Sequence, residues 1–216
     1  MSSISSLGYD NLSTAELQAI NQLNAQNRLA EALQTETKVK SGSSSLSTQV
    51  QRTNYKNWFT DVTLPKDVQT LKGIYNSSSN KLQDRLVYHA YYSNGSIKEA
   101  SKKDGGVITY IWGYNNQLPV AKVENATYAQ IQSLPYFGSN FTIVNGLSAN
   151  QEASLRANLG NALVTTYSYE PLVGVTRITD PSGVAIHYEY DAFNRLWRVK
   201  NNDGHIVSEN AYNYKN

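Results

Sequence analysis

The last quarter of the chain repeats itself with a period of 21 residues. Tyr167 and Tyr169 recur as Tyr188 and Tyr190, and a turn glycine recurs as well, Gly183 in the first copy and Gly204 in the second. Each glycine closes a cluster of turn-forming residues, Asp-Pro-Ser-Gly and then Asn-Asp-Gly. Alternating tyrosines with glycine at regular turns are typical of consecutive β-hairpins and not of helices. The segment 164–214 therefore predicts a run of antiparallel hairpins.

Side chains alternate between the two faces of a strand, which divides the second copy into an apolar and a polar set. The apolar set consists of Ile186, Tyr188 and Tyr190. The polar set consists of His187, Glu189 and Asp191. This alternation predicts a sheet with one covered face and one solvated face.

The turn clusters contain the residues that hairpin turns require. Asp180 at the first position can accept hydrogen bonds from the turn backbone, Pro181 fixes φ at the second, and Gly183 tolerates the backbone that follows. Asp203 and Gly204 both accept left-handed φ, which predicts a short hairpin turn between the last two strands.

The segment Tyr188–Leu196, with the valine and turn glycine after it, resembles the YD repeat of the RHS family. The family pattern reads Tyr-x-Tyr-Asp-x-x-Gly-Arg-Leu, then a valine and a turn glycine. The matching positions are Tyr188, Tyr190, Asp191, Asn194, Arg195, Leu196 and Gly204, with Tyr167, Tyr169 and Gly183 in a degenerate preceding copy. Asn194 stands where the family has glycine. Because asparagine is the next most permissive residue for positive φ, we expect positive φ at Asn194.

A weaker third copy aligns on Gly95, with Gly105 ten residues later and aromatic residues at Tyr110 and Trp112. In the RHS family, strings of such hairpins wind into a β-strip that encloses a hollow shell, often around a toxin domain. The resemblance implies a non-catalytic scaffold. It also implies that the chain is the C-terminal portion of a larger, secreted or surface-bound bacterial protein, so its partners would be the rest of that chain or another protein chain.

The whole chain is predicted to be mainly β, an open strip of antiparallel β-hairpins of the RHS/YD-repeat type with two or three short helices. Residues 1–30 form an N-terminal segment with a helix over about 13–27, because Ser13 and Glu16 have capping-box spacing. Residues 31–124 form hairpins of weak repeat character, with tips at Ser41–Ser45 and Asn76–Asn80 and with Pro65 interrupting short strands.

Residues 125–160 break the β rhythm and predict a partly helical insertion lying over one face or edge of the sheet. Two capping signals, one within Asn125–Thr127 and one at Ser148, predict helices over about 127–134 and 149–159, the second followed by Gly160. Residues 161–216 then carry the YD-repeat hairpins.

Composition restricts the class of function. The net charge is +2, from 19 basic and 17 acidic residues that are scattered along the chain, so no nucleic-acid partner is expected. Sixteen tyrosines and three tryptophans against four phenylalanines favour amphipathic sheet faces. The chain contains no cysteine, which excludes disulfides and thiolate metal sites. No apolar run is long enough to predict a membrane span.

The N-terminus lacks the charged and apolar regions of a signal peptide. Together with the family resemblance, this favours a fragment of a larger secreted chain over an artificial boundary or a truncated gene copy.

No catalytic motif is present, so we expect neither enzyme activity nor a cofactor or metal. His187 and Glu189 share a strand face and could form a metal pair, but a solvated strand face is the simpler interpretation. Asp191 and Arg195 predict a structural ion pair or a turn hydrogen bond.

The alternative to a scaffold is an aromatic-rich module that binds a glycan or a protein. Surface grouping of the three tryptophans, Trp58, Trp112 and Trp197, would favour this alternative.

Overall fold

The computed structural model describes residues 12–42, 44–71, 82–139 and 141–213. The chain divides into two compact units, Met1–Gly105 and Gly106–Asn216, and each contains strands that pair antiparallel with their neighbours in sequence. The predicted fold class, a mainly β protein built as an open strip of antiparallel hairpins with short helices, is confirmed. The boundary between the units lies inside the segment 31–124. The predicted tip at Asn76–Asn80 lies outside the described residues.

The first unit holds helix α1 and strands β1 to β5. Helix α1 spans Thr14–Ala25, and the strands are β1 Gln34–Ser41, β2 Ser44–Phe59, β3 Val62–Leu71, β4 Leu82–Tyr91 and β5 Ile97–Lys102. Ser13 and Glu16 form the predicted capping box. The predicted hairpin around Ser41–Ser45 is also present, because β1 and β2 pair up to Ser41 and Ser44.

Helix α1 lies on the β2–β3 hairpin. Its buried Ala19 and Leu23 pack against Tyr55 of β2. The Gln22 side-chain amide donates a 3.0 Å hydrogen bond to the Thr60 carbonyl in the turn between β2 and β3. A short amphipathic helix thus covers part of a sheet that would otherwise expose its tyrosine.

Pro65 does not interrupt the strand, so that prediction is wrong. It lies inside β3 and pairs with Tyr55 of β2 where the register shifts by one residue after Asn54. A bulge of this kind accommodates a residue that has no N–H to donate. The Pro65 carbonyl still accepts a 2.9 Å hydrogen bond, from the hydroxyl of Tyr91.

The second unit holds strands β6 to β12 and two helices. In chain order these are β6 Val107–Gly113, β7 Leu118–Glu124, α2 Tyr128–Gln132, α3 Ala149–Asn158, β8 Leu163–Glu170, β9 Gly174–Thr179, β10 Ala185–Tyr190, β11 Leu196–Lys200 and β12 Ile206–Glu209. Both predicted helices are present; the predicted capping box at Ser148 begins α3, and a capping box at Thr127 begins α2. Within the described ranges, no helix is both long and apolar enough to cross a membrane.

The insertion between β7 and β8 builds the core of this unit. Three apolar residues of the insertion are buried against the sheet: Ile131 of α2, Ile143 of the segment between the helices, and Leu155 of α3. The strand residues that meet them are Ile111, Val120, Ala121, Val123 and Val164. The insertion therefore lies over one face of the sheet and not along an edge, because its apolar residues need the strand faces for burial.

Candidate functional site

Three turns in the C-terminal hairpins share one hydrogen-bond pattern. They begin at Asp180, Asp191 and Asn201, so successive turns are 11 and 10 residues apart. The fourth residues of these turns, all with positive φ, are Gly183 (88°), Asn194 (61°) and Gly204 (83°). In each turn the fourth N–H donates to the first carbonyl at 2.9–3.0 Å. The fifth N–H donates to the first side-chain oxygen, also at 2.9–3.0 Å. The structural unit is therefore one strand plus one such turn, half of the 21-residue period.

The backbone at Asn194 confirms the expected positive φ. The predicted hairpin between the last two strands is present, with positive φ at Gly204 but not at Asp203. The turn is one residue longer than expected since it begins at Asn201, whose side chain accepts from the N–H of Asp203 and of His205. The sequence did not lead us to predict Asn201 as the first residue of a turn, although an Asn or Asp ten residues after Asp191 could have indicated this role.

The weaker copy near Gly95 keeps one of its two turns. Gly95 has φ 87° and its N–H donates to the Tyr92 carbonyl at 2.9 Å, which matches the C-terminal turns. At the next turn the positive φ falls on Asp104 (62°) and not on Gly105. Spacing alone therefore aligned Gly105 with a turn of a different type.

Asp191 and Arg195 form both the ion pair and the turn hydrogen bonds that the sequence predicts. The second carboxylate oxygen of Asp191 accepts from Arg195 Nε at 2.8 Å and from Arg195 Nη2 at 2.6 Å. These bonds, with backbone N–H groups, lower the pKa of Asp191. The Arg195 guanidinium also lies 4.1 Å from the centre of the Tyr212 ring. Asp191 and Arg195 thus shape the turn, and Arg195 also holds the segment that follows β12.

Three tyrosine hydroxyls each donate a hydrogen bond to a backbone carbonyl in the first or second residue of an earlier strand. The three pairs are Tyr169 to Pro119 (3.0 Å), Tyr190 to Val175 (2.9 Å) and Tyr212 to Leu196 (2.8 Å). Burial, with the neighbouring tyrosines, raises the pKa of Tyr169 to about 12. Tyr167 and Tyr188 lie two residues earlier on the same strands. The repeated tyrosines therefore connect strands through hydrogen bonds as well as through their rings.

The sequence predicted that the apolar side chains of β10 would lie on the covered face of the sheet. This prediction is wrong, because the helices cover the opposite face of β8–β10. Ile178 pairs with Ile186, and Tyr188 pairs with Val199, on the face opposite α3. Ile186 is 41% exposed. Helix α3 lies on the other face, where Leu155 packs into the core and where Glu152 and Arg156 also have polar partners.

Glu152 of α3 is the centre of these polar contacts. Its carboxylate accepts from Thr166 Oγ1 at 2.8 Å and from Arg177 Nη2 at 2.6 Å. Partial burial opposes the charge of Glu152, but these hydrogen bonds, Arg177 and Arg156 together lower its pKa below the ordinary value. The carboxylate is therefore held ionised between the helix and the sheet.

Arg156 is the second polar tie between α3 and the sheet. Its Nη1 donates to the Val164 carbonyl at 3.0 Å and to the Asp180 carbonyl at 2.9 Å. Sequence reasoning missed these ties, since the only local signal was the spacing of Glu152 and Arg156 by one helical turn.

Two open grooves border the YD hairpins. One, of about 550 Å³, lies between α3 and the polar face of β8–β10, and we refer to it as the α3 groove. The other, of about 510 Å³, contains Tyr188, Tyr190 and Trp197, and we refer to it as the tyrosine groove. His187 lines the α3 groove, whereas Glu189 binds Lys200 at 2.5 Å. Among the residues that the structure describes, no three His, Asp or Glu side chains are placed together as metal ligands.

Comparison with known proteins supports the resemblance. Residues 173–206, which contain all three of the C-terminal turns, match the family model of the RHS repeat. The C-terminal part of the chain therefore contains an RHS repeat, as the YD motif predicts.

Among solved structures, the chain is similar to a protein described as TcdB2-TccC3 without its hypervariable C-terminal region. The identity is 9% and the TM-score is 0.42. The match covers 81% of this chain and spans 9% of the length of that chain. Comparison with curated proteins gives no match.

Proposed function

We propose that the chain is a non-catalytic β scaffold, forming the C-terminal portion of a larger RHS-type bacterial protein that is secreted or surface-bound. The RHS repeat at 173–206 supports this assignment. The observation that carries it is the outer edge of β12. Within the described residues β12 pairs with β11 alone, and all four of its residues are exposed.

The β12 edge has the properties of a site for strand addition. Ile206 and Val207 are 47% and 60% exposed, and β12 contains neither lysine nor proline to hinder pairing. Of the residues after β12 that the structure describes, Asn210 and Tyr212 bind on the β11 side and not along the outer edge. The Asn210 N–H donates to the Trp197 carbonyl at 2.9 Å. A strand of the larger protein can therefore continue the sheet here.

An antibody raised against this folded chain tests the proposal in cells that naturally express it. Immunoblots of the culture supernatant, surface fraction and cytosol should show a species well above 24.0 kDa, outside the cytosol. A blot in which the antibody detects only a free species of about that mass in the cytosol would overturn the proposal.

The tyrosine groove favours a second candidate function, the binding of a glycan. Trp197 is 38% exposed and lines this groove with Tyr188 and Tyr190, an arrangement that suits stacking of a sugar ring. Trp112 and Trp58 are each partly buried, so the exposed grouping of three tryptophans is not present. A glycan microarray followed by calorimetry should find a ligand whose affinity falls in Trp197→Ala. In Phe193→Ala, which removes an exposed ring outside the groove, the affinity should be kept. Equal losses in both variants, or no ligand, would remove this candidate.

A further inference from the structure

The α3 groove contains more charge and more hydrogen-bond donors than the fold uses. Two guanidinium groups, Arg156 and Arg177, meet one carboxylate, Glu152, so the local formal charge is two minus one, or +1. Glu152 is the one acidic residue that lines the groove. Both of its oxygens are already occupied by Thr166 and the two arginines. The positive charge that remains is therefore available to a ligand.

Three donor groups that line the groove are unused among the described residues. Arg177 donates from Nε to the Thr179 hydroxyl and from Nη2 to the Glu152 carboxylate, so its Nη1 group has no acceptor among the described residues. Asn202 accepts the Ala185 N–H at 3.2 Å through its side-chain oxygen, which leaves its amide nitrogen to donate. The His187 ring also lines the groove and has no hydrogen bond within the described part of the chain.

The sheet places these donors side by side. Arg177 of β9 and His187 of β10 are directly paired across the two strands, so their side chains leave the same face. Asn202 reaches this face from the turn after β11, where its oxygen is fixed on the first residue of β10, Ala185. A guanidinium, an imidazole and an amide thus border one open space.

We propose that the α3 groove binds a small molecule bearing an oxyanion, either a carboxylate or a sulfate. Arg177 Nη1 donates the charged hydrogen bond, and His187 and Asn202 donate to the remaining oxygens. Charge-assisted hydrogen bonds from a guanidinium are the strong ones for such groups. The volume of about 550 Å³ is in the range of small-molecule sites, so the ligand can be larger than the ion itself. This inference is independent of the scaffold role and adds a binding site to it.

NMR titration of the intact chain tests the site with two probes. Sodium sulfate and sodium glucuronate represent the two oxyanions, and sodium chloride at matched ionic strength gives the baseline. We expect saturable shifts of the Asn202 side-chain amide and the Arg177 Nε signal with at least one probe. Saturation by glucuronate alone would assign the site to carboxylates, and saturation by sulfate alone would assign it to sulfates.

Two variants of the same kind separate a site from general attraction. Arg177→Gln should weaken binding about tenfold or more, since it removes a charge-assisted hydrogen bond. Arg198→Gln removes the same charge from β11, outside the groove, and should change binding less than about twofold. Shifts that do not saturate with either probe, or equal losses in both variants, would overturn the proposal.

His187→Ala provides a second test if Arg177→Gln disturbs the contact with α3. The His187 ring takes no part in the hydrogen bonds that join α3 to the sheet. We expect binding to weaken severalfold in His187→Ala and in Asn202→Ala. Unchanged binding in both variants would contradict the assignment.

Discussion

The turn at Asp191–Arg195 gives the sharpest test of the proposed register, because one residue in it has left-handed backbone. Asn194 has φ 61°, and its N–H donates to the Asp191 carbonyl at 2.9 Å. Left-handed φ brings Cβ close to the following carbonyl, and glycine escapes this clash because it has no Cβ. A β-branched residue adds a second heavy atom on Cβ and resists this region most strongly.

The expected cost follows from the backbone alone, since the Asn194 side chain is exposed. Left-handed φ costs a non-glycine residue about 1–2 kcal/mol, and asparagine reduces that cost by local hydrogen bonding. Asn194→Val should therefore lower the free energy of unfolding by about 1–2 kcal/mol. For a chain of this size that is a decrease of about 2–8 °C in melting temperature. Asn194→Gly should be neutral or slightly stabilising.

Thermal and urea unfolding of the three proteins measure these differences. Ala192→Val is the matched control, because Ala192 is exposed in the same turn and is not among the residues with positive φ. The control should change stability by less than about 0.5 kcal/mol. If Asn194→Val melted like the parent or like Ala192→Val, the assignment of left-handed backbone to this position would be refuted.

Three further substitutions test the polar contacts. Glu152→Gln should cost about 1–3 kcal/mol at neutral pH, because it weakens partly buried charge-assisted hydrogen bonds. Since the pKa of Glu152 is lowered, this stability is present above the pKa of the unfolded chain and is lost as the pH falls through the folded pKa. Urea unfolding curves of variant and parent should therefore converge in acid, and a constant difference would contradict this reasoning. Burial raises the pKa of Asp67, so the ionisation of its carboxyl group opposes folding. The Asp67→Asn variant should therefore melt at a higher temperature than the parent at neutral pH and lose this gain below the pKa of the unfolded chain. A variant with no gain in melting temperature at any pH would contradict this reasoning. Tyr190→Phe should cost about 0.5–1.5 kcal/mol through the lost bond to the Val175 carbonyl. Tyr188→Phe is its control and should cost less, because the Tyr188 hydroxyl has no hydrogen bond among the described residues; equal costs would show that the bond is not stabilising.

Short-range signals in the sequence predicted the local structure well. The capping boxes at Ser13, Thr127 and Ser148 begin the three helices. The positive φ at Asn194 followed from the motif position. Such features depend on residues within one turn of each other, so the sequence states them directly.

The contacts between distant segments could not be predicted in the same way. Glu152 and Arg177 are 25 residues apart, and nothing in either neighbourhood identifies the partner. The face of the sheet that α3 covers could not be predicted either, because alternation of apolar residues does not say which face a helix will select. On β8 and β9 the covered face is polar, and Glu152 contacts Thr166 and Arg177 there, whereas Leu155 of the same helix packs against the apolar residues of β6–β8. The bulge at Pro65 likewise depends on the partner strand.

The equivalence of the turns at Asp180 and Asn201 has a consequence for how such a chain changes length. Each turn follows a strand whose last residue, Thr179 or Lys200, points to the same face as Arg177. Removing residues 180–200 would place Asn201 directly after Thr179, in the position and chemical role of Asp180. The strand direction, the face pattern and the turn would all be preserved. Recombination between copies can therefore add or delete whole units of 21 residues without disturbing the strands on either side.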